Sequence, residues 1–269
     1  MKRRDPLFWG GVVFLVFLVL FAVFGPNLRH NPITPVGTNF LPPSSQYWLG
    51  TDELGRDIFA RLAEGARISL FVGFAVQAIA LTVGIIVGLT GVYGPRWLAG
   101  PIMRLTDAMF AFPDILLAIL IIGVWGLGIT PVIVALSITA WPGVARLVKT
   151  QAAAMNEREF VVASRALGAG TLWTVTRHVL PHLAPLLTAV AMVEVAGTIL
   201  GESALSFLGI GVQPPNPSWG SMINSARSEM NSHPTLLLWP CLILSMTVFA
   251  LNFVGDGLRR RLDPRASQQ

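Results

Sequence analysis

Six long apolar stretches constrain this chain more than any other feature of its sequence. They cover residues 7–24, 68–93, 108–125, 129–145, 183–208 and 236–254. A helix needs about 20 apolar residues to cross a hydrocarbon core of roughly 30 Å, because it rises about 1.5 Å per residue. Each stretch is therefore predicted to be a membrane-spanning helix. The predicted fold is an all-α polytopic membrane protein with six transmembrane helices, in a single domain over residues 1–269.

The composition agrees with a protein embedded in a bilayer. Hydrophobic residues make up 53% of the chain and charged residues only 12%, whereas a soluble domain carries about 25% charged residues. The net charge of +5 would suggest nucleic acid in a soluble protein. Here the basic residues lie in short connections between apolar stretches, so they are interpreted as orientation signals and no nucleic-acid partner is predicted. The single cysteine, Cys241, excludes both an internal disulfide and a multi-cysteine metal site.

The basic residues also predict which side of the membrane each connection faces. The first apolar stretch is longer than the ~7–15 residues of a signal peptide and no small-residue cleavage site follows, so it is expected to be retained. Lys and Arg concentrate on the side that holds both termini, which predicts a multi-pass protein of the cell (inner) membrane with cytoplasmic termini. Fourteen of the 19 basic residues lie on that side: Lys2, Arg3, Arg4, Arg96, Arg104, Arg146, Lys149, Arg158, Arg165, Arg177, Arg259, Arg260, Arg261 and Arg265. The other five are Arg29, Arg56, Arg61, Arg67 and Arg227.

Two glycine pairs within the apolar stretches predict close packing of helices. Gly84 and Gly88 are four residues apart, as are Gly197 and Gly201. Small residues at this spacing lie on one helical face and let a second helix approach closely in lipid.

Two acidic residues stand inside the fifth apolar stretch. A carboxylate in hydrocarbon is costly and usually faces a cavity or a partner. Glu194 and Glu202 are eight residues apart, a little over two turns, and are predicted to lie on roughly one face of the helix. Both are candidates for the lining of a translocation pathway. For Glu202, an interfacial position near the outer end of the helix is an equal alternative.

The cytoplasmic connection over residues 146–182 is predicted to contain two helices outside the membrane. Residues 157–167 form the first, with Phe160 and Leu167 on one face and Arg165 on the other. Glycine tolerates a left-handed backbone, so Gly168 is expected to end this helix. Both membrane lipid and a protein partner would fit such a helix.

The sequence contains no phosphate-binding loop of the form G-x-x-x-x-G-K-[ST]. Its only lysines, Lys2 and Lys149, do not follow glycine-rich turns. If transport is driven by ATP, the nucleotide must therefore be bound by another chain. No cofactor and no metal site are predicted in this one, because the four histidines all lie in connections.

Residues 162–181 resemble a cytoplasmic pattern of the membrane subunits of ABC importers, E-A-A followed by G and then I-x-L-P. Val162-Ala163-Ser164, Gly168 and His178-Val179-Leu180-Pro181 occupy the corresponding positions. Val162 replaces the usual acid, whose charge Glu159 is expected to supply, and His178 replaces the isoleucine. Further segments resemble, in order, the C-type permease of dipeptide, oligopeptide and nickel importers. They are residues 49–57, 166–168, 177–181, 202–209, 211–215, 217–220, 255–259 and 262–265.

The resemblance implies the type I ABC importer permease fold and a set of partners. These are a second related permease, two ATP-binding subunits that hold ATP and Mg, and an extracytoplasmic substrate-binding protein. The implied contact with an ATPase is a coupling helix comprising Glu159, Phe160, Val162, Ala163, Ser164, Arg165, Ala166, Leu167 and Gly168. The implied contact with the binding protein comprises Gln213, Pro214, Pro215 and Trp219.

The predicted function is translocation of dipeptides or oligopeptides by alternating access, with no chemistry in this chain. Nickel chelates and other small solutes remain open as substrates. Two further classes of protein remain as alternatives. A proton-coupled secondary transporter would also place acids such as Glu194 in a helix. An intramembrane serine protease would be built on Ser203. The protease would need a histidine on a facing helix.

Overall fold

The computed structural model describes residues 5–262, and the regular secondary structure of this part of the chain is helical. It contains no β-strand, only an isolated bridge between Thr51 and Asp57. The predictions made for residues 2–4 and for residues 263–265 lie outside the described residues.

The helices follow one another in the order that the apolar stretches predict, but most extend beyond them. The helices are α1 (Pro6–Phe24), α2 (Ile58–Tyr93), α3 (Arg96–Met109), α4 (Asp114–Trp125), α5 (Ile129–Asn156), α6 (Glu159–Ala166), α7 (Thr171–Thr174), α8 (Leu180–Phe207), α9 (Trp219–Ala226) and α10 (Pro234–Leu262). Within the described residues five helices are long and apolar enough to cross a membrane, with α7 and α8 counted as one; the bent pair of α3 and α4 is a sixth if it is counted as one span.

The third predicted span, residues 108–125, is not one straight helix. α3 and α4 meet at an angle of 96°. The break lies at Pro113, because proline disfavours a helical conformation in the residue before it, Phe112. α4 has 12 residues and is about 18 Å long at 1.5 Å per residue, too short to cross a bilayer alone.

The connection predicted over residues 146–182 is mostly helical. α5 continues through Pro142 as far as Asn156; membrane helices tolerate such a proline where neighbours satisfy the freed backbone groups. After α7 the chain makes one wider turn over Val175–Val179, in which the Leu180 N–H bonds to the Val175 carbonyl, and then continues as α8. Wide turns of this kind help a membrane helix to tolerate a proline, and Pro181 lies two residues after the turn. The chain is thus helical from residue 171 to residue 207.

The glycine pair on α2 is packed against α5, as the spacing predicts. A Cβ atom added at Gly84 would lie 2.5 Å from the Cβ of Val144, and one at Gly88 would lie 2.6 Å from the Ala145 carbonyl oxygen. Neither position has room for a side chain. The prediction is therefore confirmed for this pair.

The second glycine pair behaves differently. Gly197 has no atom within 4 Å of an added Cβ, and at Gly201 the nearest neighbour is a side-chain carbon of Leu136 at 3.5 Å. Within the described chain this pair makes no close helix contact.

The bundle has two distinct ends. We call one the basic end, formed by the start of α1, the end of α10 and α6. Here Asp5 accepts a hydrogen bond from Arg260, which holds the pKa of the Asp5 carboxyl below its usual value. We call the other the loop end, formed by residues 28–57 and 208–233. There Phe40 stacks on His233, with ring centroids 4.3 Å apart.

At the loop end, residues 49–57 have a structural role. Asp57 caps α2 by accepting a hydrogen bond from the Phe59 N–H at 2.9 Å. The Asp52 carboxylate pairs with Arg56 at 2.7 Å and with Arg61 at 3.2 Å, and all three side chains are buried. This segment therefore starts the longest single α-helix of the described chain and buries an ionic cluster beside it.

Candidate functional site

The α6 helix presents most of its surface away from the bundle. Glu159, Ala163, Arg165, Ala166 and Gly168 are exposed. Three large apolar side chains are exposed as well: Phe160 is 46% exposed, Val162 53% and Leu167 90%. Apolar groups this exposed at the basic end require either lipid or a partner to cover them.

Two side chains of α6 face inward instead. Val161 is fully buried. Ser164 is partly buried, and its hydroxyl has no hydrogen-bond partner within the described chain. Of the residues predicted to contact an ATPase, Ser164 is thus the one turned furthest toward the bundle.

α6 is tied to the ends of two spans through one amide oxygen. Asn156 Oδ1 accepts hydrogen bonds from Arg165 at 3.0 Å and from the Tyr93 hydroxyl at 2.7 Å. Tyr93 ends α2 and Asn156 ends α5. α6 and the ends of α2 and α5 therefore share one hydrogen-bonded contact. The sequence interpretation did not identify Asn156 or Tyr93, because neither belongs to a recognisable pattern.

Gly168 ends α6 in the left-handed conformation that its position predicts. Its φ is +89°, and the Ala169 N–H bonds back to the Ser164 carbonyl at 3.1 Å. This 6→1 hydrogen bond satisfies one of the carbonyls left free at a helix C-terminus. The prediction for the helix and its stop is confirmed.

Two histidines predicted to lie in a loop are helical. His178 lies in the wide turn before α8 and His182 in the first turn of α8. His178 contacts the rings of Phe160 and Trp173, with centroids 5.7 and 4.9 Å away. These aromatic contacts connect α6 to the start of the α8 span.

Glu194 and Glu202 lie in different surroundings, although the sequence predicts one face. Eight residues at 3.6 per turn leave an offset of about 80°. Glu194 is exposed, whereas Glu202 is fully buried. The prediction that Glu202 lines a pathway is not supported, because it has no exposed surface; for Glu194 it stays a prediction.

The carboxylate of Glu202 is surrounded by hydroxyl groups. Oε2 accepts a hydrogen bond from Ser69 on α2 at 3.0 Å, and Oε1 accepts one from Ser206 at 2.7 Å. Ser203 and Ser218 also face the carboxylate, but neither forms a hydrogen bond of good geometry with it. This cluster joins α2, α8 and the segment that follows α8.

Trp219 was predicted to contact an external protein, and its burial contradicts this. Its side chain is fully buried, and its indole N–H donates to the Leu62 carbonyl at 3.2 Å. The other predicted contact residues lie at the surface: Pro214 and Pro215 are exposed, and Gln213 is partly exposed. Burial of an indole whose N–H is satisfied is typical of a structural tryptophan.

Residues 80–268 match the family described as the binding-protein-dependent transport system inner membrane component. The chain belongs to this family. Residues 3–43 also match the N-terminal transmembrane domain of oligopeptide transport permease C. The chain is therefore a transporter permease, a membrane-channel subunit rather than an enzyme. Such permeases work with ATPase and permease partners, and the secondary-transporter and protease hypotheses are set aside.

Curated relatives of this permease align with nearly its whole length. A glutathione transport system permease protein from Escherichia coli O157:H7 is 38% identical over 98% of this chain and 88% of its own. A putative peptide permease protein from Brucella suis is 39% identical over 99% of this chain and 89% of its own. A dipeptide transport system permease protein from Bacillus subtilis is 37% identical over 98% and 83%.

Solved structures show the same fold. The permease superposes on a chain of the inward-facing MetNI methionine ABC transporter with a TM-score of 0.61, at 21% identity over 75% of this chain and 96% of that one. A chain of an amino acid ABC transporter superposes with a TM-score of 0.52, at 14% identity over 79% and 94%. The predicted type I ABC importer permease fold is confirmed.

Proposed function

We propose that this permease carries dipeptides or oligopeptides through the cell (inner) membrane, with both termini in the cytoplasm. The observation that carries the proposal is its identity of 37–39%, over 98–99% of its length, to permeases named for glutathione, peptide and dipeptide transport. The three names share the peptide bond as a substrate feature. The basic end then faces the cytoplasm, which the distribution of Lys and Arg supports.

The coupling segment, residues 159–168, docks onto one of two ATP-binding subunits, which hold ATP and Mg. The exposed apolar side chains of Phe160, Val162 and Leu167 support this assignment, because an ATPase groove would cover them. Val162 stands where the family pattern has an acid. Glu159, the first residue of α6, supplies a carboxylate in its place. Closure of the ATPases on ATP displaces α6, and the hydrogen bonds through Asn156 pass the displacement to α2 and α5.

The translocation pathway forms between this chain and a second, related permease. Support comes from α8, where Glu194 is exposed at membrane depth and, within the described residues, no atom lies within 4 Å of a Cβ added at Gly197. A membrane helix with an exposed acid and with open space beside a glycine is expected to face a partner or a cavity rather than lipid. Alternating access follows from movement of the two permeases relative to each other.

An extracytoplasmic substrate-binding protein delivers the peptide at the loop end. Pro214 and Pro215 are exposed there, beside Gln213, whose amide N–H donates to the carbonyls of Gly209 and Gly211 at 3.1 Å. These hydrogen bonds hold the loop in one shape and present the two prolines to the outside.

The test is reconstitution of the complete transporter in liposomes with its binding protein. ATP hydrolysis is measured with and without dipeptides and longer peptides, and uptake of labelled peptide is measured in parallel. Stimulation by peptide together with the binding protein is the expected result. A complex that assembles and hydrolyses ATP but responds only to nickel chelates or another solute would contradict the peptide assignment and keep the permease assignment.

Glu194→Gln is expected to reduce peptide uptake, by roughly tenfold, because it removes a charge from the proposed pathway without changing side-chain size. Uptake per assembled transporter is the measurement. The control is Glu64→Gln on α2, where the carboxylate forms only a long 3.8 Å pair with Arg67; this variant is expected to transport normally. Equal uptake by Glu194→Gln and the wild type would remove Glu194 from the pathway.

A further inference from the structure

Glu202 is a buried acid without a basic partner. Its side chain is fully buried, and within residues 5–262 no Lys, Arg or His forms an ion pair with it. Taking a carboxylate out of water is costly, and hydroxyl donors compensate less well than a cation does. A neutral side chain would pack here at lower cost, so the presence of an acid needs a reason.

The hydrogen bonds of Glu202 form a chain that runs between separate elements. The Val212 N–H donates to Ser206 Oγ at 3.0 Å, and the Ser206 hydroxyl donates to Glu202 at 2.7 Å. From the other side, the Ser69 hydroxyl of α2 donates to Glu202 at 3.0 Å. Val212 belongs to the loop after α8, so one carboxylate connects this loop to α2. Hydrogen bonds in such a chain polarise and strengthen one another.

Close backbone packing surrounds the same carboxylate. A Cβ added at Gly220 on α9 would lie 2.2 Å from the Ser203 carbonyl oxygen, and one at Gly211 would lie 2.1 Å from Ser206 Oγ. The loop and α9 therefore contact α8 with no space for a side chain at either glycine. Trp219 adds a further contact, to α2, through its hydrogen bond to Leu62.

We propose that Glu202 is a positioning residue, which uses its two hydroxyl partners to hold residues 209–226 against α2 and α8. This segment carries the exposed Pro214 and Pro215. A segment held in its bound shape does not have to be ordered when a protein docks on it, which improves affinity. The contact with a substrate-binding protein rests on the proposed function; the anchoring of the segment does not.

The first measurement is amide hydrogen exchange over residues 209–226 in the assembled transporter without binding protein. Glu202→Ala removes both acceptors and is expected to accelerate exchange there roughly tenfold or more, since it breaks two buried hydrogen bonds and leaves their hydroxyl donors without partners. Glu202→Gln keeps the shape and one acceptor oxygen and is expected to accelerate it less. Glu64→Gln, the same change elsewhere on the loop-end part of the bundle, is the matched control and is expected to leave exchange unchanged.

The second measurement is a titration of ATP hydrolysis with substrate-loaded binding protein. We expect Glu202→Ala to raise the half-stimulating concentration roughly tenfold, with unchanged basal and maximal rates. Glu202→Gln should restore part of this loss. If Glu202→Ala does not assemble, Ser69→Ala removes one donor and takes its place in both measurements.

The outcomes separate the inference from the proposed function. Unchanged exchange in Glu202→Ala would overturn the anchoring of residues 209–226 by Glu202. Faster exchange with an unchanged half-stimulating concentration would support the anchoring and overturn its role in docking of the binding protein. If the wild-type transporter does not respond to any binding protein, the proposed partner is wrong, whatever the exchange rates show.

Discussion

Gly168→Trp is expected to abolish ATP-driven transport while leaving insertion of the chain intact. Gly168 has a φ of +89°, and a side chain in the left-handed region costs about 1–2 kcal/mol. Bulk is not the obstacle, because the structure shows open space around this position. The backbone conformation is therefore the constraint, and its loss would reorient α6 relative to α7.

The control for this prediction is Gly170→Trp. Gly170 also has open space around it, but its φ of −71° is one that any residue adopts. The two variants add the same bulk two residues apart and differ in backbone conformation. Uptake and ATP hydrolysis of both are compared after membrane insertion is checked. Normal transport by Gly168→Trp would falsify the assignment of residues 159–168 as the coupling segment.

Gly88→Val is expected to prevent stable folding. The added Cβ would lie 2.6 Å from the Ala145 carbonyl oxygen and 2.7 Å from the Val148 Cβ, so α2 and α5 would have to separate. Overpacking of this kind costs about 3 kcal/mol. The measurement is the yield and thermal stability of the purified chain in detergent, both of which should fall sharply.

Gly197→Val is the matched control, because Gly197 belongs to a glycine pair of the same spacing but has no neighbour within 4 Å. The isolated chain should keep wild-type stability. In the complete transporter the same variant should weaken association with the second permease, if α8 faces it. Equal stability losses for Gly88→Val and Gly197→Val would contradict the packing of α2 on α5.

Helices, their order and the Gly168 stop were predictable from the sequence, because they depend on local properties. Runs of apolar residues mark membrane helices, and glycine marks a left-handed stop. The helix ends were less predictable, since helices continue past the edge of the apolar stretch. The second helix of the cytoplasmic connection is predicted to be separate from the fifth span, yet residues 171–182 continue directly into the helix that ends at Phe207.

The surroundings of individual side chains were not predictable, because they depend on contacts between distant parts of the chain. Glu202 and Ser69 are 133 residues apart and Trp219 and Leu62 are 157 apart. Nothing local distinguishes the buried Trp219 from the exposed Pro215. The resemblance to a permease family indicated that residues 202–220 matter, but only the packing shows that Trp219 and Glu202 lie inside.

The unbroken run of helix from Thr171 to Phe207 has a mechanical consequence. Its 37 residues span about 55 Å at 1.5 Å per residue. One end begins just after Gly170, and the other carries Glu202 and Ser206. A rod of this length, pivoting near its middle by about 10°, moves each end by about 5 Å in opposite directions. A tilt of this helix would therefore couple the position of the residues after Gly170 to the position of Glu202 and Ser206. The wide turn at Val175–Val179 is where the helix would bend.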